Sequence, residues 1–392
     1  MRILIAPSGF KEGLSAREAA DCIECGVRAA LPKAQVTKVP VADGGEGFTE
    51  CLVSVTDGSL HRVRVTGPLG DGVESHFGFL GGAEQKTAVI EMAAAAGLRL
   101  VPPQQRDPRK TTSYGVGELI RHALDAGAER IVLGCGDSGI NDGGAGMAQA
   151  LGVRLLDQEN RQIGFGGAEL ARLRRIDLSG RDPRLDQVRI DAAVNWHNVL
   201  LGRRGVARVF GPQKGATPEM VFELEEALET YADVIGRDLG LEIGHQPGSG
   251  ASGGLGTGLV ALLGANLQPR YDVILRYFDI DAHVADADLV LTAEGQLDGQ
   301  TPHGKVPAEI AARAKRRGIP VIVLAGSIGK GAYANLQHGI DAYMSIIKHP
   351  CSLEDAIDDG RKLLSHAAEH ATRMVQIGYA MGRGGEPLRQ AS

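Results

Sequence analysis

Arg130-Ile-Val-Leu-Gly-Cys-Gly-Asp-Ser-Gly-Ile-Asn-Asp-Gly-Gly-Ala-Gly146 reads as a strand, a glycine-rich turn and the start of a helix. Arg130–Leu133 is a short apolar run of strand length, and the helix that follows the turn is predicted to reach Leu151. The same order recurs outward in both directions. Met1–Ala6 predicts a strand. Ser15 then opens a helix to about Leu31, with Glu18 completing a capping box. Gln35–Val41 predicts a strand that ends in Asp43-Gly-Gly-Glu-Gly47, followed by a short helix to about Val55. Further strands are predicted at Asp191–Val194, Asp288–Thr292, Val321–Ala325 and Ala342–Ile347. Helices are predicted at Ser113–Ala126, Pro218–Leu239, Lys305–Arg317 and Ser352–Val375, and Gly248–Gly258 leads into another through Leu263. Strands alternating with helices define an α/β fold with a mostly parallel, Rossmann- or flavodoxin-like sheet. Residues 59–90 break the pattern: apolar and polar residues alternate between Gly, Pro and Asp turns, which predicts antiparallel strands. The expected organisation is a β/α domain of residues 1–60 with 286–380, an inserted α/β domain of residues 61–285, and a flexible tail at 381–392.

Composition narrows the function. Glycine supplies 55 of 392 residues, about twice the usual ~7%, and it sits in short loops between apolar runs. Hydrophobic residues at 43% suffice for packed cores. A net charge of −6 argues against a nucleic-acid partner. No apolar run approaches the ~20 residues that cross a bilayer, and the opening residues are too short for a signal peptide. These features predict a cytoplasmic protein, monomeric or homodimeric, with a small-molecule partner. Cys22 and Cys25 are the only close pair among five cysteines and lie inside a helical pattern. A zinc site would need a second pair, so reduced core thiols are expected.

In open parallel sheets ligands sit beyond the C-terminal strand ends. Here those ends carry Ser8 and Lys11; Asp43 and Glu46; Asp137, Ser138, Asn141 and Asp142; Asn195 and His197; and Glu294, Asp298, His303 and Lys305. Carboxylates, lysines and glycine-rich helix starts are the materials of phosphoryl transfer. Other readings stay open. Gly134–Gly139 fits GxGxxG, with Asp157 about 20 residues on, as in dinucleotide binding. Gly248–Gly253 fits it too, and either an anion site or close helix packing accounts for its small residues. Gly299–Lys305 resembles a P-loop, but Val306 stands where Ser or Thr would bind Mg²⁺. Lys214 lies in a tight turn, Phe210-Gly-Pro-Gln-Lys-Gly215.

Taken together, these loops resemble the bacterial glycerate kinase family. The resemblance rests on Ala6-Pro7…Phe10-Lys11, Val41-Ala-Asp-Gly-Gly-Glu-Gly47, Thr112–Leu119, Asn141–Gly152, Val209–Thr217, Gly250–Gly256, Glu294–Thr301 and Gly304-Lys305, in order along nearly the whole chain. It implies transfer of the ATP γ-phosphoryl group to the 2-hydroxyl of D-glycerate with Mg²⁺, by two α/β domains around a cleft. In that frame Asp43, Asp298 and Lys11 are the catalytic candidates. Gly250, Ser252, Gly253, Gly254, Lys305, Ser138 and Asn141 would bind ATP. Asp142, Glu294 and Glu46 would hold the metal, and Ser8, Asn195, His197, Lys214 and His303 the acceptor. Ser8, Asn195 and His197 stand where the family carries acidic groups, so an acceptor larger or more anionic than glycerate is an alternative. An NAD-dependent oxidoreductase and a non-catalytic binder of small anions are the remaining alternatives.

Overall fold

The computed structural model describes residues 1–10, 13–41, 44–278 and 280–382, apart from the side chains of Leu275, Phe278 and His303. In chain order the strands are β1 (Arg2–Ile5), β2 (Gln35–Lys38), β3 (Ser59–Thr66), β4 (Gly72–Phe79), β5 (Thr87–Glu91), β6 (Arg130–Gly134), β7 (Arg154–Leu156), β8 (Arg175–Asp177), β9 (Arg189–Val194), β10 (Asn266–Pro269), β11 (Leu289–Leu297), β12 (Val321–Ile328) and β13 (Ala342–Ser345). They form two main sheets, and the chain divides into two units accordingly: Met1–Ala42 with Phe278–Ser392, and Asp43–Tyr277.

The first unit is a parallel sheet in the order β13-β12-β11-β1-β2. Ile3, Leu4 and Ile5 of β1 are all buried, as expected of a strand covered on both faces. Ser15 caps the helix Ala16–Ala30 with the reciprocal Glu18 bond that the sequence predicted. That helix lies against the helix Gly360–Gly382 and buries Ala19, Ile23 and Val27 with Leu364, Ala368 and Ala371. The predicted closing helix is two helices, Leu353–Asp358, capped by Ser352, and Gly360–Gly382. The expected tail at 381–392 therefore begins inside a helix, and residues 383–392 lie outside the described residues.

The second unit holds a six-stranded sheet in the order β10-β9-β6-β5-β4-β3. β3, β4 and β5 pair antiparallel, which matches the alternation at 59–90, and β5, β6, β9 and β10 pair parallel. A small antiparallel pair, β7 with β8, was not visible in the sequence. The helix Phe48–Val55 belongs to this unit, because its first turn donates Gly47 N and Thr49 N to Glu91 at the end of β5. The first junction thus falls at 42/43 and the second at 277/278, where the sequence pattern placed them near 60 and 285.

β11 also departs from expectation. It continues through Glu294 and Gly295, and Gln296 and Leu297 still pair with Ser327 and Ile328 of β12. Glu294 is therefore a strand residue, not a loop residue.

The two terminal helices approach closely at Gly26. A Cβ there would lie 2.1 Å from the Ser365 carbonyl oxygen and 2.8 Å from Ala368 Cβ. Alanine gains about 1 kcal/mol of helix propensity over glycine, whereas overpacking costs about 1–3 kcal/mol and more against backbone. Gly26→Ala should therefore lower the urea midpoint of the first unit, by about 1–2 kcal/mol in stability. An unchanged midpoint would mean that the helices separate at no cost.

Candidate active site

In the first unit the parallel strand ends gather a compact ionic group. Glu294 on β11 is buried, and its Oε1 accepts a 2.8 Å hydrogen bond from Thr301 Oγ1. The turn after β11 brings Asp298 beside it. Lys305, at the start of the helix Val306–Arg316, folds back onto both carboxylates. Its Nζ lies 3.4 Å from Glu294 Oε2 and 3.1 Å from Asp298 Oδ1, and it donates to the Gln296 carbonyl at 2.8 Å. Burial raises the Glu294 pKa above its usual range, while the Lys305 charge opposes the shift. Asn335 Nδ2 holds the Asp298 carbonyl at 2.9 Å and so fixes the turn. Lys305 therefore answers carboxylates rather than lining a P-loop cradle. Ser8, after β1, donates its hydroxyl hydrogen to Ala293 O at 3.0 Å. Lys11 lies outside the described residues, as does the side chain of His303.

In the second unit three glycine-rich segments stack on one another. Asp142 is wholly buried, and its carboxylate accepts from Ser113 N (2.8 Å), Ser113 Oγ (2.8 Å), Gly144 N (3.1 Å) and Gly146 N (3.2 Å). Burial pushes its pKa up and these four donors pull it down. Three of these bonds fall on Oδ2 and one on Oδ1, so the protein itself engages both oxygens of Asp142. Asn141 is also wholly buried, yet neither its Oδ1 nor its Nδ2 has a hydrogen-bond partner. Gly253 sits on this loop: it has φ +74°, and a Cβ there would lie 2.0 Å from the Ile140 carbonyl oxygen. Ser252 and Gly254 are left-handed as well, so the regular helix starts only after Gly254. Close backbone packing thus explains the small residues of Gly250–Gly254.

Lys214 is buried and donates from Nζ to Ser138 Oγ (2.9 Å) and to the Ile140 carbonyl (2.5 Å). It supports the loop from beneath rather than facing solvent. Burial pushes its pKa down to about 7. Asn195 Oδ1 accepts from His197 N at 3.2 Å within its own turn, and His197 is exposed. Glu46 donates its backbone N–H to Asp137 Oδ2 at 3.1 Å, and its side chain pairs with Arg99 at 3.3 Å. Asp43 lies outside the described residues. Among the described residues no three His, Cys, Asp or Glu side chains converge as a metal site.

Three residues carry weight that the sequence did not reveal. Ser113 bridges Asp142 and the N–H of Met147. Thr301 orients Glu294. Glu91 anchors Gly47 and Thr49, and its only sequence signal is a lone acid closing the apolar run Ala88–Ile90. Of the cysteines, Cys22 and Cys135 are core thiols as expected, whereas Cys25 and Cys351 are exposed.

The dinucleotide alternative fails on the same geometry. A Cβ on Gly136 would lie 2.6 Å from Gly45 Cα, so that glycine admits a neighbouring turn rather than a pyrophosphate. Asp157 is spent on its own turn, accepting from Glu159 N, Arg161 N and the Arg172 guanidinium.

Lysine and carboxylates at parallel strand ends in the first unit, and tightly packed glycine turns in the second, are the materials of a phosphotransferase with an alcohol acceptor. The family model described as the glycerate kinase family matches residues 3–376. A glycerate kinase of Halalkalibacterium halodurans is 48% identical over 94% of this chain and 96% of its own. A glycerate 2-kinase of Escherichia coli K12 is 46% identical over 96% and 99%. A crystal structure described as glycerate kinase 2 from Salmonella typhimurium LT2 superposes with a TM-score of 0.80 at 48% identity, covering 97% of this chain and 99% of its own. The chain belongs to the glycerate kinase family. Among the described residues no helix is long and apolar enough to cross a membrane.

The buried Lys214 has a pH consequence. Between pH 7 and its ordinary value of 10.5 the unfolded chain holds a proton there that the folded chain releases, so stability rises with pH across that window. Lys214→Met should remove that rise. Urea denaturation at pH 7 and pH 9 is expected to separate wild type from variant by about 2 kcal/mol in the change between the two pH values. Parallel pH curves would show that Lys214 stays charged in the fold.

Proposed function

We propose that the protein transfers the γ-phosphoryl group of ATP to the 2-hydroxyl of D-glycerate, giving 2-phosphoglycerate. The single observation that supports this best is the Glu294–Asp298–Lys305 group, set in a chain that matches enzymes named glycerate kinase over nearly its full length. Lys305 supplies positive charge to phosphate oxygens. Its two carboxylate partners keep it oriented until a phosphate competes for it.

Glu294 and Asp298 also fit Mg²⁺. They are hard oxygen donors, and Asp298 Oδ2 accepts no hydrogen bond from any described residue. The absence of a three-ligand group among the described residues suits this ion, which is commonly held by one or two carboxylates with water and substrate phosphates. Bound there, the ion would neutralise charge on the phosphates. Asp142 is left out of this role because four hydrogen bonds from the protein already engage its two oxygens; it holds the loop. Lys214 acts through Ser138 and Ile140 and does not touch substrate. Asp298 or Asp43 orients the acceptor hydroxyl and takes its proton late in a loose transition state. Ser8 bonds the Ala293 carbonyl of β11 and Asn195 the N–H of His197, and the match to enzymes named glycerate kinase favours glycerate over a bulkier acid.

The test is ADP formation with Mg-ATP and a panel of 2-hydroxy acids, with the product isomer assigned by ³¹P NMR. D-glycerate should be preferred, 2-phosphoglycerate should be the product, and chelation of Mg²⁺ should abolish turnover. Asp298→Asn should lower kcat by about 10²–10⁴ without changing the urea midpoint. Preference for a larger acid, or a loss under tenfold in the variant, would overturn the respective assignment.

A further inference from the structure

Glu91 is buried to 1% exposure at the end of β5 and plays no part in the chemistry above. Its Oε2 accepts from Thr49 N at 2.8 Å and its Oε1 from Gly47 N at 3.2 Å. Both amides belong to the first turn of the helix Phe48–Val55, where the peptide dipoles favour negative charge. β5 pairs Glu91 with Gly134, so the residue stands between the 44–47 turn and the start of the 134–146 loop.

Among the described residues no buried cation balances this carboxylate. His76 on β4 has its Nε2 3.9 Å from Glu91 Oε1, but burial lowers its pKa and its Nε2 has no hydrogen-bond partner. The other charges that face Glu91 are Arg99, after β5, and Glu50, on the helix Phe48–Val55; Arg62 and Arg99 both act on His76. A buried acid without a cation is costly, and a neutral side chain would fill the space more cheaply. Its charge is therefore useful for something other than stability.

We propose that Glu91 is a positioning residue whose carboxylate fixes the Gly44–Gly47 turn and the first turn of the helix Phe48–Val55. The catalytic side of this inference rests on the kinase reading; the structural side does not. Burial pushes the Glu91 pKa up to about 7. Protonation then frees one of the two amides, and the turn loosens as pH falls through neutrality. The effect on folding has the opposite sign: between 4.5 and 7 the folded chain binds more protons at Glu91 than the unfolded chain, so its contribution to stability falls as pH rises.

Glu91→Gln sets an amide N–H against a backbone N–H in the same space. At pH 8 the variant should lose at least tenfold in kcat, change KM for ATP less than threefold, and keep or raise its urea midpoint. Hydrogen exchange across residues 44–50 should quicken at least tenfold, while the helix Tyr114–Asp125 stays protected. Glu91→Asp, which keeps the charge, should recover part of that protection. In the wild type, exchange protection of 44–50, corrected for intrinsic rates, should fall below pH 7. Wild-type exchange across 44–50 in Glu91→Gln, or kcat and midpoint falling together with no local change, would overturn the proposal. If wild type turns over no hydroxy acid, the kinase reading fails and the exchange data alone decide on Glu91. If Glu91→Gln does not fold, the wild-type pH series decides.

Discussion

The carboxylate of Asp142 ties the starts of two helices together at the buried end of their shared core. It takes two hydrogen bonds from Ser113, at the start of one helix, and two from Gly144 and Gly146, at the start of another. A buried charge there is stabilised by these four donors, which hold the 141–146 loop against both helix starts. The Gly250–Gly254 segment can then pack against it backbone to backbone, and Lys214 can brace it from beneath. Removing any one donor would leave a buried charge underserved, so the arrangement holds as a unit or not at all.

The first unit solves a different problem with similar parts. Glu294, Asp298 and Lys305 sit at the rim of a sheet whose interior is mostly apolar, with Thr292 bonded to the Ala6 carbonyl as a buried polar group. The ionic group is partly exposed there, with Lys305 at 31% and Asp298 at 21% side-chain exposure. Water and ligands therefore compete for it. A partly exposed group can exchange partners; the sealed one around Asp142 cannot. That contrast separates a group that solvent can reach from one that holds the framework.

Much of this architecture was legible in the sequence. Ser15 and Glu18 announced a helix start, the helix Pro218–Leu239 was read with its observed bounds, and the alternation at 59–90 announced an antiparallel ribbon. What remained hidden was hidden for physical reasons. Glu294-Gly295-Gln296 looks like a loop because strand pairing with β12 is a tertiary fact, absent from local pattern. An aspartate that ligates a metal and one that accepts four hydrogen bonds are the same letter, so the bonds that Asp142 takes from Ser113, Gly144 and Gly146 could not be read from the sequence. A lysine in a tight glycine turn suggests exposure, and only the packing of Ser138 and Ile140 over Lys214 reveals its burial. Glu91 gave no more signal than the polar end of any strand. The unit junctions were missed because the helix Phe48–Val55 follows two strands of one sheet yet packs on the other.

β1 lies between β2 and β11, and its partner β11 begins at residue 289. A ribosome adding about 5–20 residues per second needs roughly 15–60 s to supply that partner after β1 emerges. For that interval Ile3-Leu4-Ile5 is a bare apolar strand with an open edge, the kind of segment that nascent-chain chaperones guard. Residues 43–277 have all their own strands in hand long before translation ends. Biogenesis of this enzyme is therefore ordered from the middle of the chain outward.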